Sequence, residues 1–425
     1  MINTTNEPPL STGLGDRLPE LLAIYEDLHA NPELSFQEVR TAAVISDHLK
    51  KNGWQVTDEV GGTGVVGVLS NGPGPVVLLR ADMDALPVQE ETGLPYASTA
   101  TATDAEGNTV PVMHACGHDM HMTCLLGAAA QLSARHDEWS GTVVAVFQPA
   151  EEVGGAQGMI EDGFLDRFPR ADICLAQHVQ PAPVGLLGTR PGPIMLASDS
   201  LRVQLFGRGG HGATPELTVD PVVLAAAVVL RLQTVVSREI GTAQTAVVTV
   251  GALRAGLKEN IIPDSAELLI NIRTATQNVR EKVLAAVERI IRAECLASAA
   301  PRDPEITHLY AFPATINDAE ATVAVHNSLA RAFGINHVLT MPSVLSGSED
   351  FSIFGTALGA PSVFWLFGGT DPSEFAATDL AALLENGLPE NVPVNHSPLY
   401  APVPEPTIEI GTKALLSAAA YWLCP

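Results

Sequence analysis

The sequence contains few cysteines, aromatic residues and basic residues, and each scarcity argues against a class of protein. Its 425 residues include five scattered cysteines, an odd number that disfavours a disulfide framework and favours reduced thiols in the cytoplasm. Only 23 lysines and arginines accompany 48 aspartates and glutamates, a net charge of −25. We therefore expect neither nucleic acid nor an acidic membrane surface as a partner.

Signals for secretion and membrane insertion are also lacking. Residues 1–20 contain no basic segment followed by an apolar stretch, so no secretory signal is expected. The longest apolar run, 219–236, includes Asp220 and Arg231 and has helical periodicity, which predicts a packed helix and not a membrane span. Aromatic residues make up 5% of the chain and hydrophobic residues 46%, which predicts a globular core rich in Ala, Val and Leu.

A chain of this length exceeds the usual size of one hydrophobic core, so two domains are expected. Short apolar runs between Gly and Pro residues predict buried strands, and helical periodicity separates them, which together predict an α/β domain with a mostly parallel sheet flanked by helices. We assign this domain to residues 1–197 and 313–425. Its predicted helices cover 18–29, 37–51, 118–134 and 408–422, and its predicted strands cover 65–69, 76–79, 142–147, 173–176 and 362–367.

The pattern changes after the Pro-rich stretch 181–193. Strands and helices then follow in the order β-α-β-β-α-β, which is the ferredoxin-like split pattern. We therefore predict an inserted domain over residues 198–312. Its strands are predicted at 200–207, 245–253, 267–274 and 305–312, and its helices at 220–239 and 278–296.

The segment MHACGHDMHM, residues 113–122, is the densest cluster of residues that bind metals. Cys116 and His118 flank a glycine ahead of a predicted helix, and a thiolate beside a helix N-terminus with an imidazole suits zinc. His114 and His121 are alternatively supporting or surface groups. A buried, inert Cys116 is the alternative interpretation, and this segment by itself favours metal binding.

Further ligand-type residues follow two predicted strands. Glu151 and Glu152 come after strand 142–147, where one carboxylate can bind metal while the other carries protons. A solvated acidic loop is the alternative for this pair. His178 follows strand 173–176, although a lone histidine in such a place is usually structural.

His396 in PVNHSPLY is a weak signal when taken alone. In open α/β sheets, however, sites form beyond the ends of the strands, where several of these residues are predicted to lie. Together the candidates provide enough ligands for two ions with a shared bridge: Cys116, His118, Glu152, His178 and His396.

With these candidate ligands in this order, the sequence resembles the di-metal aminoacylase and carboxypeptidase amidohydrolases. The resemblance is strongest to the branch of hippurate hydrolases, indole-acetyl-amino-acid hydrolases and bacterial N-acyl-amino-acid aminoacylases. It extends from about residue 28 to 400, and HACGHD followed by QPAEE is its most specific part. The other matching stretches are LHANPELSFQE, RADMDALPVQEETGLPYAS, QHV, GRGGHGATP, ENIIPDSAELLINIRT and SGSEDFS.

The resemblance implies that Cys116 bridges two divalent ions and that Glu151 is the general base. The sulfur ligand favours zinc, although manganese, cobalt or nickel could serve. The remaining ligands implied are His118, Glu152, His178 and His396.

The resemblance also implies that the inserted domain is a lid that commonly mediates homodimerisation. His211, Asn260 and Arg273 occupy positions associated with substrate binding. From the residues alone, His211 could be a turn residue, Asn260 a turn cap and Arg273 a surface ion-pair partner.

The sequence departs from the family pattern at Arg80-Ala81-Asp82 and at Glu216, and its stretch 98–110 is longer than usual. Related peptidases have His-x-Asp where this chain has Arg80-Ala81-Asp82, so Asp82 at most supports the metal ligands. Many relatives have histidine where this chain has Glu216.

In the matching SGSEDFS stretch, Glu349 is expected to order the site by hydrogen bonding, with a purely structural role as the alternative.

These features predict a cytoplasmic, metal-dependent amidohydrolase that cleaves N-acyl-L-amino acids into a carboxylic acid and a free amino acid. The nearest alternative is a di-metal dipeptidase or exopeptidase acting on free peptides. A non-catalytic binding protein with the same fold is the alternative from another class, and the complete set of ligands and base argues against it.

Overall fold

A computed structural model describes residue 8, residues 10–375, residue 383 and residues 387–424. The chain divides into two compact units. The first comprises the described parts of Met1–Ile194, Ile316–Ser343 and Asp350–Pro425, and the second comprises Met195–Thr315 and Val344–Glu349.

The first unit is built on an eight-stranded mixed sheet. Four adjacent strands at its centre are parallel, whereas antiparallel pairs occur on either side of them. The predicted α/β fold is confirmed. The sheet was predicted to be mostly parallel and is mixed. In spatial order the strands are Gln55–Val60, Gly64–Asn71, Gly141–Gln148, Val76–Asp82, Ile173–Pro183, Ser362–Thr370, Leu187–Thr189 and Val338–Thr340.

Helix His118–Ala134 is the central helix of the first unit and is buried along nearly its whole length. At Gly127 an added Cβ would lie 2.9 Å from both Leu21 and Thr412, so the small residue permits close helix packing. The other α-helices of this unit whose bounds the structure describes are Leu18–Ala30, Val39–Lys51, Gly155–Glu161, Phe164–Arg167, Ala319–Phe333, Ser352–Leu358 and Pro404–Leu423.

The second unit contains a four-stranded antiparallel sheet and two long helices, Pro221–Thr234 and Gln277–Ala297. Buried residues alternate with half-buried ones along strand Ser265–Thr274, as expected of a sheet covered on one face. In spatial order the strands are Ala246–Ala255, Ser265–Thr274, Ala197–Phe206 and Glu305–Phe312.

Asp220 caps the N-terminus of helix Pro221–Thr234, because its carboxylate accepts the Val222 N–H at 2.8 Å. By length and composition, Pro221–Glu239 could cross a membrane, and 33% of its most apolar window is buried. Its inner face lies in the core of the second unit, where Leu224 and Val228 are fully buried. The predicted packed helix is therefore present.

Candidate metal centre

The five predicted metal ligands of the first unit lie in one cluster. Donor atoms of Cys116, His118 and His178 are all within 4.8 Å of one another, and so are those of Cys116, Glu152 and His396. His118, Glu151 and Glu152 form a third such group. Because the groups share members, the five candidate ligands and the predicted base converge on a single site.

The Cys116–His118 segment is held at the start of the central helix. Gly117 has φ 85°, and an added Cβ would lie 2.5 Å from Val179, so only glycine fits this turn. His118 Nδ1 lies 2.8 Å from the Asp84 carbonyl oxygen, to which it donates. This bond leaves Nε2 of His118 as the nitrogen that can bind metal.

His178 lies within a central strand, because strand Ile173–Pro183 continues past the predicted end at residue 176. Its Nδ1 donates to the Val179 carbonyl oxygen at 2.7 Å. Its Nε2 lies 3.5 Å from Cys116 Sγ. As with His118, the backbone bond leaves Nε2 for a metal ion.

His396 lies on an irregular turn with φ 70°. Its N–H donates to the Ala115 carbonyl at 2.8 Å, and its Nε2 lies 3.3 Å from Glu152 Oε1. The adjacent Asn395 donates from Nδ2 to the Cys116 carbonyl oxygen at 3.1 Å. Sequence reasoning did not identify Asn395, since no periodicity marks this turn.

The Glu151–Glu152 pair follows strand Gly141–Gln148 through a sharp turn at Ala150, which has φ 55°. The N–H groups of Glu151 and Glu152 donate to the two carboxylate oxygens of Asp84, at 3.0 and 3.1 Å. Asp84 therefore supports both this pair and His118. Sequence reasoning missed this role, because Asp84 lies five residues beyond the predicted strand 76–79 and no local pattern marks it.

Two buried atoms of the cluster that could bind a metal ion lack hydrogen-bond partners among the described residues. They are Nε2 of His118 and Oε1 of Glu152, which lies 3.3 Å from His396 Nε2 without the geometry of a hydrogen bond. An unsatisfied buried polar atom is costly, and a cation would satisfy both. Burial also raises the pKa of the Cys116 thiol, so a thiolate there requires a nearby cation. The thiol, imidazole and carboxylate donors suit divalent zinc, and the residues present therefore fit a metal centre.

Asp82 lies beneath the cluster in a fully buried network. Its Oδ1 accepts from His121 Nδ1 at 2.6 Å, and its Oδ2 accepts from Arg80 Nη1 at 2.8 Å. Burial opposes ionisation, but the neighbouring imidazoles of His118 and His121 and the guanidinium of Arg80 hold the pKa of Asp82 well below its usual value. Since His121 Nε2 accepts the Val179 N–H at 2.8 Å, Asp82 fixes the His121 ring beside the metal ligands.

The predicted substrate residues His211 and Asn260 lie next to each other in the second unit. His211 pairs with Ile261 in a two-stranded sheet, and the Gly212 N–H donates to the Asn260 carbonyl at 2.9 Å. Glu349 also belongs to this unit, is buried, and accepts from Thr315 Oγ1 through its carbonyl oxygen.

Arg273 is held in the second unit by neutral oxygens. Its Nε donates to Asn271 Oδ1 at 3.0 Å, and its Nη1 donates to Ser348 Oγ at 2.8 Å and to the Ser346 carbonyl at 3.1 Å. Among the described residues, no carboxylate lies within ion-pair distance of this guanidinium. Its positive charge is therefore oriented without being neutralised.

Comparison with known proteins shows relatives over nearly the whole chain. The hippurate hydrolase of Campylobacter jejuni is 38% identical over 79% of this chain and 87% of that protein. Thermostable carboxypeptidase 2 of Saccharolobus solfataricus is 36% identical over 82% of this chain and 85% of its own. The structure of the Bacillus subtilis YxeP protein, described as a dinuclear metal binding peptidase, matches with a TM-score of 0.74 at 28% identity, over 95% of this chain and 98% of that one.

The family itself is identified by a match over most of the sequence. The profile of peptidase family M20/M25/M40 matches residues 78–387, which include four of the five candidate ligands and the candidate base. The resemblance inferred from HACGHD and QPAEE is thereby confirmed, and the chain belongs to peptidase family M20/M25/M40.

Proposed function

We propose that this protein hydrolyses the amide bond of N-acyl-L-amino acids, using two divalent metal ions. The observation that supports this proposal is the convergence of a thiol, three imidazoles and two carboxylates in the first unit. Cys116 would contribute a thiolate ligand, and zinc is favoured, with manganese, cobalt or nickel as substitutes. The remaining ligands would be His118, Glu152, His178 and His396.

Glu151 is the general base of this proposal. When bound, the ions would supply the Lewis acid that polarises the substrate carbonyl and acidifies a water molecule. Glu151 takes one proton from the water molecule as the water oxygen attacks the carbonyl carbon. Glu151 then gives that proton to the amide nitrogen as the C–N bond breaks. The products are a carboxylic acid and a free amino acid. Glu151 is only 6% exposed, which limits its contacts with solvent.

Arg273 binds the carboxylate of the amino acid half in this proposal, and His211 and Asn260 contact the substrate. Support for Arg273 comes from its guanidinium, which contacts only neutral oxygens among the described residues. A charge-assisted bond of this kind contributes about 1.5–3 kcal/mol. Substrates with a free carboxylate are therefore preferred over simple amides.

We further propose that the second unit is a ferredoxin-like lid through which two copies of the chain dimerise. Its element order and exposed apolar residues on helix Pro221–Thr234, such as Val223 and Leu230, support this proposal. A cytoplasmic location is supported by the cysteines, which are all free thiols.

The experiment that tests the function is a hydrolysis screen on metal-reconstituted enzyme. Acylated amino acids that vary in both halves are compared with free dipeptides in one assay, by kcat/KM. Preference for the acylated substrates is expected. A higher kcat/KM for free dipeptides would instead support the peptidase alternative, which the similarity to a carboxypeptidase favours.

Removing the metal is expected to abolish hydrolysis. Because two buried atoms of the cluster, His118 Nε2 and Glu152 Oε1, lack hydrogen-bond partners, a chelator should also lower the thermal stability of the first unit. Activity and melting temperature are measured before chelation, after it, and after adding back zinc or manganese. Full activity in protein shown by elemental analysis to be metal-free would refute the proposed chemistry.

Replacing Arg273 with alanine is expected to lower kcat/KM for N-acyl amino acids by about 10–100-fold, the equivalent of a lost charge-assisted bond. The amides of the same substrates, which lack the carboxylate, should be hydrolysed at an unchanged rate. Arg254→Ala is the matched control, since Arg254 is an exposed arginine of the same sheet that pairs with Glu267. An unchanged preference for carboxylate substrates in the Arg273 variant would exclude the carboxylate contact.

A further inference from the structure

Glu38 is a fully buried carboxylate in the first unit for which the described residues provide no cation. It directly precedes helix Val39–Lys51, yet its side chain accepts no hydrogen bond from the N-terminus of that helix. Burial raises the pKa of Glu38 to about 7. A buried acid without a counter-ion does not favour stability, and the partners of Glu38 indicate what else it does.

One partner of Glu38 is the backbone immediately before the candidate base. Its Oε1 accepts the Ala150 N–H at 2.8 Å, and Thr63 Oγ1 donates to its other oxygen. Ala150 is a fully buried non-glycine residue in the left-handed region, with φ 55°. Such a conformation costs about 1–3 kcal/mol and persists only where its surroundings hold it.

The next two residues are held in the same way. The N–H groups of Glu151 and Glu152 donate to Asp84, so three consecutive N–H groups bind two buried carboxylates. This arrangement holds Glu151 Oε2 at 4.0 Å from His118 Nε2. The loop that carries the base is therefore held by the side chains of Glu38 and Asp84, which are distant from it in sequence.

We propose that Glu38 is a positioning residue for Glu151, acting by holding the Ala150 N–H in the left-handed turn. The inference rests on the proposed function, in which Glu151 is the base. Glu38 touches neither substrate nor metal in this role. Its length matters because the carboxylate must reach Ala150, whereas its charge is dispensable because an amide oxygen accepts the same N–H bond.

Two substitutions separate reach from charge. Glu38→Gln keeps the length and an accepting oxygen, and its amide can donate to the Thr63 hydroxyl, so kcat close to that of the parent enzyme is expected. Glu38→Asp keeps the charge but withdraws the acceptor from Ala150. It is expected to lower kcat about 10–100-fold, since a shift of about 1 Å in a catalytic group has effects of this size, with KM and metal content unchanged.

The same pair is measured with Glu161→Asp as the matched control for shortening an exposed glutamate of the first unit. Parental kcat in Glu38→Asp, or equal losses in the Asp and Gln variants, would overturn the inference. If Glu38→Asp does not fold, as judged by circular dichroism, Thr63→Val replaces it, because this change releases the second Glu38 oxygen. Thr63→Val should lower kcat without raising KM, and an unchanged kcat would overturn the inference.

A double substitution distinguishes this inference from the proposed function. In a Glu151→Gln background, Glu38→Asp should cause no further loss of kcat, because the base that it positions is already absent. A further loss of the same factor would show that Glu38 acts elsewhere. Parental activity in Glu151→Gln alone would refute the proposed function itself, whatever the Glu38 variants do.

Discussion

Replacing Glu151 with glutamine is expected to lower kcat by about 10²–10⁴-fold, the usual contribution of a general base. The glutamine has the same shape but cannot accept the proton of the attacking water. Because Glu151 is distinct from the proposed ligands, the variant should keep its metal ions and its KM. Steady-state kinetics measure kcat and KM, and elemental analysis of the purified protein measures its metal content.

The neighbouring carboxylate provides the comparison. Glu152→Gln should lose metal as well as activity, since Glu152 Oε1 lies in the cluster with Cys116 and His396. Glu161→Gln, an exposed substitution in the same unit, should alter neither. If Glu151→Gln hydrolyses substrate at the parental rate, Glu151 is not the base.

Replacing His29 with leucine is expected to destabilise the first unit by about 3–5 kcal/mol, because it leaves two buried carboxylates without their cation. Nδ1 of His29 lies 2.6 Å from Asp119 Oδ2, and Nε2 lies 3.1 Å from Glu90 Oε1, with all three side chains fully buried. Calorimetry should show a melting temperature lowered by about 5–15 °C. His136→Leu, at an exposed histidine of the same unit, should have little effect.

The His29 contribution also has a predicted pH dependence. Burial alone would lower the pKa of His29, but hydrogen bonds and charge from Asp119 and Glu90 raise it to about 10. A pKa raised on folding gives stability that is fully present below about 6.5, the value of the unfolded chain, and is lost as pH rises towards 10. The difference in melting temperature between the parent and His29→Leu should therefore shrink from pH 6 to pH 10. A constant difference would exclude a charged His29.

Much of the candidate site could be predicted from local sequence. Cys116 and His118 stand together ahead of a periodic helix, and Glu151 and Glu152 follow an uninterrupted apolar strand. Such signals are local, because a buried parallel strand needs a continuous apolar run and a helix needs apolar residues at its own period. The helix predicted over 118–134 has the same bounds in the structure.

Other parts of the site depend on contacts that no local pattern encodes. His178 was expected after its strand but lies inside it, because pairing with strand Ser362–Thr370 extends the ladder beyond the apolar run. The link from Glu38 to Ala150 joins residues 112 positions apart. A carboxylate in a sequence looks alike whether it becomes solvated or buried, so neither Glu38 nor Asp84 could be identified as a support.

The sequence by itself determined which residue types were available, that the chain forms an α/β unit, and that a thiol, imidazoles and paired carboxylates follow its strands and joints. The tertiary structure decided that these groups meet, because adjacent parallel strands place their carboxyl ends at one edge of a sheet. It also decided which buried charges are paired, as with His29, and which backbone groups hold the loop of Glu151. Those outcomes depend on distances through space, which are set only when the whole first unit packs.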